Sequence, residues 1–462
     1  VSRRLVARAR SSEVLTGSAW ILIGLSVQSG LGFAFWLLGS RVATSSELGR
    51  ASALYTAIQF VNYASGLGLT VALARHASDR SNESDRLFGW GVVATVLSSI
   101  VGGLLFLALS TVRATEVVTG SPLGWALFCA YTAGISVSLL VDVRLMAARR
   151  WGWLVGRLAV AGLVRLPLVL VGVGMRPDAW LYHLMLAPLA IVGVASVPFL
   201  GRMGAGSASL RRPRTLGAVA RYSGVNWLAT LASQAPQFVL PLVVAQSVVP
   251  SVNASFFLAW TITGMIFLLP GAIAQVLLVE GSKDELAREA RAGDGLVGDG
   301  AAPDGPASGG PANGGDAPDR EAGRVHEPDQ GRAREALAFS VGLAAVAWAG
   351  SLAAGPIVRV VFGDSYRALA RLLSSLLAAG VPWAITSVRL SEARIRRDQL
   401  ATVLITATLG LGILVPVVVF VPGSGTLAAT RSWLFGNVAA AVVAVAVHQR
   451  ARHVPRLGAA SG

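Results

Sequence analysis

The sequence predicts an all-helical integral membrane protein of twelve transmembrane helices, arranged as two equivalent six-helix lobes around a central cavity. Three observations lead there. The chain is 54% hydrophobic and 14% charged with a mean hydropathy of +0.62, a balance outside the range of soluble domains of this length. Its apolar residues come in continuous runs, without the strict alternation of an outer-membrane barrel strand. A polar, proline-broken hairpin in the middle of the chain has a weaker copy near the start, as expected of duplicated halves.

Runs of about 20 apolar residues rise roughly 30 Å as helices, enough to cross a bilayer. On that measure the spans fall at 15–39, 48–74, 88–110, 122–147, 152–174, 178–201, 219–246, 252–279, 335–361, 366–390, 399–421 and 427–448. The first run is too long for the core of a cleaved signal peptide and is expected to remain as a span. Arginine placement sets the orientation. The N-terminus (Arg3, Arg4, Arg8, Arg10) and every second loop after it are basic, through Arg149/Arg150, Arg211/Arg212, Arg396/Arg397 and Arg450/Arg452, while the intervening loops carry few. Both termini are therefore expected in the cytoplasm of a multi-pass plasma (inner) membrane protein. Trp90, Trp125, Trp151, Trp153, Trp180 and Trp433 sit at span ends, where indoles anchor at the interface.

With six spans per half, both halves enter the membrane in the same direction. The expected division is an N-terminal lobe over 1–218 and a C-terminal lobe over 219–462. Residues 281–334 interrupt the pattern, being rich in Gly, Pro, Ala and Asp with almost no large apolar side chains. Such a segment cannot bury enough surface to fold and is expected to be a disordered cytoplasmic insert between the eighth and ninth spans, acting as a spacer.

The central hairpin runs VARYSGVNWLATLASQAPQFVLPLVVAQ, a short break, then ASFFLAWTITGMIFLLPGAIAQVLLVE. It places Asn226, Gln234, Gln237 and Gln275, with Pro236, Pro241, Pro270 and Gly271, at membrane depth. Lipid offers amides no partner, and leaving them unsatisfied costs some kcal/mol each, so such spans are expected to line a wet cavity or to bend. In the earlier copy, at 17–79, Trp20 aligns with Trp227 and Ser26 with Ser233; Gln28, Gln59 and Asn62 echo the later amides, and Gly66-Leu67-Gly68 comes opposite Pro270-Gly271. The amides are expected in the cavity wall, and Gly66, Gly68, Pro236, Pro270 and Gly271 are expected to act as hinges.

Ionisable groups within spans point to function. Arg165 lies about 13 residues into the fifth span, roughly 20 Å from its cytoplasmic end. At that depth it is expected as the cavity cation, its planar fork suited to a phosphate; an internal salt bridge is the alternative. Asp142 is the one carboxylate well inside a predicted span. With Arg144 and Arg75 it forms a candidate cytoplasmic gate or coupling set, the alternative for Asp142 being a structural ion pair. His183 is expected as a hydrogen-bonded core residue. Cys129 lies alone in a span, so it has no partner for a disulfide within the chain. No phosphate-binding loop, HExxH, GxSxG or metal-spaced Cys/His set is present. The external loops carry only scattered acids such as Glu47, Glu116, Asp178 and Asp364. No cofactor, metal or catalytic residue is expected, and the arginines lie between apolar runs rather than forming a basic domain, so neither is nucleic acid.

The block from Asn226 to Glu285 resembles the seventh and eighth helices of the polysaccharide-exporting, Wzx-type branch of the MOP flippase superfamily. The piece VFGDSYRALARLLSSLL is similar to that branch's turn before the tenth helix, with Phe362, Gly363, Tyr366 and Ala370 in matching places. The resemblance covers nearly all the chain outside 281–334. It implies a MATE-like fold, with spans one, two, seven and eight at a lateral portal, and alternating access. It also implies an isoprenoid-(pyro)phosphate-linked oligosaccharide as substrate, flipped to the outer leaflet for surface polysaccharide or lipopolysaccharide synthesis, with membrane lipids and glycan-assembly proteins as partners. Two alternatives stay open, a multidrug/cation antiporter and a non-transporting scaffold for glycan assembly.

Overall fold

A computed structural model of the chain describes residues 2–70, 73, 82–172, 180–214, 216–297, 330–396 and 398–453. Its regular elements are helical, and no strand occurs among the described residues. The long helices are α1 (Ser2–Val42), α2 (Ser45–Ser65), α3 (Asn82–Leu109), α4 (Pro122–Ala147), α5 (Trp151–Gly172), α6 (Trp180–Ser196), α7 (Leu216–Ser247), α8 (Pro250–Val297), α9 (Gln330–Leu352), α10 (Arg367–Leu377), α11 (Gly380–Ile395) and α12 (Gln399–His453). Helices α10 and α11 together make one span, and α12 folds back on itself at Gly425 (φ 60°) to make two. The result is a twelve-span helical membrane protein in two pseudo-equivalent lobes.

Local chemistry fixes where these helices begin and break. Thr44 caps α2 through a capping box, its hydroxyl accepting from the Glu47 N–H at 3.2 Å while Glu47 accepts from the Thr44 N–H at 2.7 Å. Ser121 caps α4, with Pro122 in the first turn where its missing N–H costs nothing. The expected span 335–361 instead stops at Leu352, and a short helix, Gly355–Phe362, follows. Pro356 cannot donate into the preceding turn, so the ladder is interrupted there. The expected second span, 48–74, is interrupted after Ser65 by a turn where Leu67 and Gly68 both have positive φ, and residues 69, 70 and 73 are again helical. The seventh helix opens at Leu216, just before the expected boundary at 219. Helix α8 continues to Val297 and α9 begins at Gln330, so both ends of the segment expected to be disordered are helical. The reason is local: SKDELAREAR is rich in helix formers. Residues 298–329 lie outside the described residues.

Packing repeats between the halves. Helix α1 lies against α5 as α7 lies against α12; α3 against α4 as α9 against α11; α4 against α6 as α11 against α12. Close approaches use small residues, as expected where lipid supplies no hydrophobic drive. A Cβ on Gly134 of α4 would sit 2.7 Å from the Ala190 Cβ of α6, and one on Gly412 3.0 Å from the Gly436 Cα of the other arm of α12. The main core, including Phe35, Trp36, Leu54 and Phe256, joins the halves; a smaller one around Phe88, Val141 and Leu200 lies mostly in the first and reaches Val219 of α7. Leu105, Leu170 and Val442 are more than half exposed, the outward apolar surface that a bilayer covers.

Candidate functional site

Between the halves lies a cavity of about 330 Å³, walled by α1, α2, α5, α6, α7 and α8. Four residues expected from the sequence line it together: Gln28 of α1, Gln59 of α2, Arg165 of α5 and Gln237 of α7. The remaining wall includes the aromatic side chains Trp36, Tyr55, Phe257 and Trp260. Trp36 meets Phe257 edge-on at 4.8 Å and Tyr55 at 5.7 Å, the favoured geometry for ring quadrupoles. Gln28 and Gln237 remain exposed, so the cavity is not sealed on their flank.

Arg165 is 1% exposed. Its Nε donates to the Ala161 carbonyl at 3.1 Å and its Nη1 to the Met185 sulfur at 3.1 Å. No carboxylate pairs with it among the described residues. A carbonyl and a thioether are weak recompense for a desolvated guanidinium. The fork therefore faces the cavity with donor capacity to spare.

Helix α2 joins the first half to the second at both of its ends. At the Gly49 end, the Asn253 amide of α8 donates to the Gly49 carbonyl at 3.0 Å and to the Ser52 hydroxyl at 3.2 Å. Gly49 meets the Pro250 backbone so closely that a Cβ would lie 1.7 Å from the Pro250 oxygen. At the other end, the Trp227 indole donates to the Ala64 carbonyl at 2.8 Å, and the Tyr63 hydroxyl to the Leu231 carbonyl. Tyr63 stacks on Phe238 at 4.6 Å. Gly68 (φ 64°) comes against α7 such that a Cβ would lie 2.3 Å from the Ser223 oxygen. The expected hinge pair Gly66 and Gly68 thus forms the turn where α2 touches α7.

Other expected residues fall elsewhere. Asn62 does not line the cavity: it is 7% exposed and accepts from the Ser136 hydroxyl of α4 at 2.8 Å, inside the first half. Gln234 is exposed on α7 outside the lining. Arg75 and the side chains of Asn226 and Gln275 lie outside the described residues. Helices α7 and α8 continue through Pro236 and Pro270, and the space where a Gly271 Cβ would point is open. Asp142 is held by Arg157 of α5, which also donates to the Ser138 hydroxyl at 2.8 Å and the Ser138 carbonyl at 3.1 Å. Arg144 binds Asp85, the Ser84 hydroxyl and, at 2.7 Å, the Ala205 carbonyl. These two members of the expected gate are therefore engaged in separate pairs. His183 sits 3.0 Å from the Tyr131 hydroxyl, away from the cavity.

Two groups were not singled out in the sequence. Arg157 lies as deep in α5 as Asp142 does in α4, across a short loop, and that equal depth was the available signal. The other is a buried cluster in which the Arg389 guanidinium donates to Glu392 at 2.8 Å, with His448 of α12 3.1 Å from the same carboxylate. Arg389 and Glu392 stand three residues apart on α11, a spacing visible in the sequence, while only tertiary packing brings His448 of α12 to them.

No protein-family model matches the sequence, and no curated protein matches it. Solved structures do. A lipid II flippase MurJ in an inward closed conformation superposes with a TM-score of 0.68 at 11% identity, covering 93% of this chain and 87% of that one. An inward-facing multidrug resistance MATE family transporter of the MOP superfamily gives 0.60 at 15% identity, covering 93% and 97%. A MOP superfamily transporter from Pyrococcus furiosus gives 0.56 at 14%, covering 94% of each chain. The chain has the MOP transporter fold. Within that fold, the cavity lies between the two halves, and its walls are built by helices of both.

Proposed function

We propose that the chain is a membrane transporter that flips an isoprenoid-(pyro)phosphate-linked oligosaccharide from the cytoplasmic to the outer leaflet by alternating access, supplying surface polysaccharide or lipopolysaccharide. The carrying observation is the cavity's chemistry: one buried guanidinium without a carboxylate partner among the described residues, amides from α1, α2 and α7, and aromatic faces. Amides hydrogen-bond sugar hydroxyls, aromatic faces cover sugar rings, and a guanidinium fork suits a phosphate. Among the described residues the lining carries no acid, and Asp142 is tied to Arg157, which disfavours the cation-antiporter alternative. The likeness in fold to a lipid II flippase is in line with a lipid-linked cargo.

This reading places both termini in the cytoplasm of the inner membrane, with lobes over 1–218 and 219–462, Gln28, Gln59, Gln237 and Arg165 at the substrate, and glycan-assembly proteins as partners. The test is to delete the gene and ask on which leaflet lipid-linked sugar accumulates. Accumulation on the cytoplasmic leaflet, reversed by the wild-type chain, is the expected result. Rescue of dye efflux in a pump-deficient host without any lipid phenotype would move the assignment to the antiporter, and neither effect would leave the scaffold.

A further inference from the structure

The way Arg165 is held limits the charge of what it can grip. A guanidinium has two edges that can each hold a pair of oxygens, one across Nε and Nη2 and one across Nη1 and Nη2. The Nε proton of Arg165 is spent on the Ala161 carbonyl at 3.1 Å, which removes the first edge. Nη1 gives one proton to the Met185 sulfur at 3.1 Å and keeps one beside the two of Nη2. The edge that remains fits two oxygens of a single phosphate. Among the described residues Arg165 is the one Arg or Lys in the cavity lining. Other cations of the same helices are committed or distant. Arg157 is bound to Asp142, Arg41 donates to the Val360 carbonyl, and Arg50 is exposed. Arg10, Arg221 and Lys283 stand at least 15 residues along α1, α7 and α8 from Gln28, Gln237 and Leu268 of the wall, roughly 22 Å or more of helix.

A phosphate esterified on both sides, to an isoprenoid and to a sugar, carries one negative charge. A pyrophosphate in the same place carries two. At the depth of Arg165, which is 1% exposed, the second charge meets only neutral amides and hydroxyls such as those of Gln59, Gln237 and Thr261, and a desolvated charge without a counter-charge is costly. We infer that the cargo is joined to its lipid by a single phosphate, as an isoprenoid monophosphate ester of a sugar. Its two unesterified oxygens accept from Nη1 and Nη2 of Arg165, and its first sugar lies on the neutral amides and hydroxyls. The inference rests on the flippase reading above and narrows it from either linkage to one.

For the test, the full chain is reconstituted in vesicles with one of two lipids that share an isoprenoid chain and a hexose and differ only in a monophosphate or a pyrophosphate link. Hexose reaching the outer leaflet is measured by its oxidation with membrane-impermeant periodate. The monophosphate lipid should move about tenfold or more faster than the pyrophosphate lipid. Arg165→Gln should slow the monophosphate lipid about tenfold and erase the preference. Pyrophosphate lipid moved as fast as monophosphate lipid, or faster, would overturn the single-phosphate inference and leave the flippase reading standing. Movement of neither lipid would overturn both. A preference that survives Arg165→Gln would also overturn the inference, because the guanidinium would then not be what reads the link. If that variant does not purify, Gln237→Arg takes its place, adding a cation at an exposed position of the wall. It should narrow the gap between the two lipids, and an unchanged ratio would count against the inference.

Discussion

Arg165 and the Asp142–Arg157 pair show what a buried charge does when it is paired and when it is not. Arg165 loses its hydration and regains only a carbonyl and a sulfur, so it does not stabilise the fold. Arg165→Met should therefore keep or raise the thermal stability of the purified protein, while flipping of a fluorescent lipid-linked oligosaccharide in proteoliposomes falls about tenfold or more, the loss of charged hydrogen bonds to phosphate. Wild-type flipping by an inserted variant would remove Arg165 from the site. Arg157 is the reverse case. Arg157→Ala strands a buried carboxylate and should cost about 3 kcal/mol. Combining Asp142→Asn with Arg157→Gln should recover most of that loss, measured by thermal unfolding in detergent. If the double variant is stable but no longer transports, Asp142 is the coupling carboxylate rather than a structural partner. At this scale depth was legible and facing was not. Arg165 stood out because it lies far from either interface. Asn62, one turn beyond Gln59, turns toward Ser136 instead of the cavity, because the rotation of α2 is set by its neighbours' shapes and not by its own composition.

If the halves move against each other as proposed, helix α2 is the element that has to yield, since it holds α8 at one end and α7 at the other. The Gly49 contact is backbone against backbone, so no side chain is available to yield. Gly49→Ala should cost about 1–3 kcal/mol and separate α2 from α8. A cysteine introduced at Ser52 should then become reactive toward a water-soluble maleimide applied from that side. Unchanged protection would show that the helices do not part there. The turn at Gly66 and Gly68 was visible as a glycine pair within an apolar run, but the sequence extended the helix to 74. Apolar periodicity continues past a turn that only φ angles and the proximity of α7 disclose. The break at Pro356 and the fold at Gly425 were similarly marked by residue type, as is the division of one span at Ala378, with Gly380 and Pro382 just beyond it.

For the molecule as a whole, hydropathy and arginine spacing were enough to set the number of spans and their grouping into halves, because lipid imposes those constraints on every residue it touches. The neighbouring of α1 with α5 and of α7 with α12 follows from the same duplication that the two polar hairpins display. The insert was less legible: composition averaged over 281–334 concealed the helix-forming stretch that carries α8 to Val297. Removing 300–325 spares that stretch. If 300–325 is the spacer that its composition suggests, closure entropy changes only slowly with its length, and the shortened chain should insert normally and flip lipid-linked sugar within about twofold of wild type. Normal insertion with flipping abolished would assign the segment a docking role.

Under the proposed function, the size of the chamber between the halves bears on how much of a cargo is held at once. A space of about 330 Å³ lies near the lower end of the roughly 300–1,000 Å³ of small-molecule pockets, smaller than a whole lipid-linked oligosaccharide. On the proposed reading a longer glycan would trail out past Gln28 and Gln237, with only its lipid-proximal unit held. Export would then be indifferent to chain length and selective for the first sugar, so polymers sharing that residue would pass at similar rates however different their outer repeats.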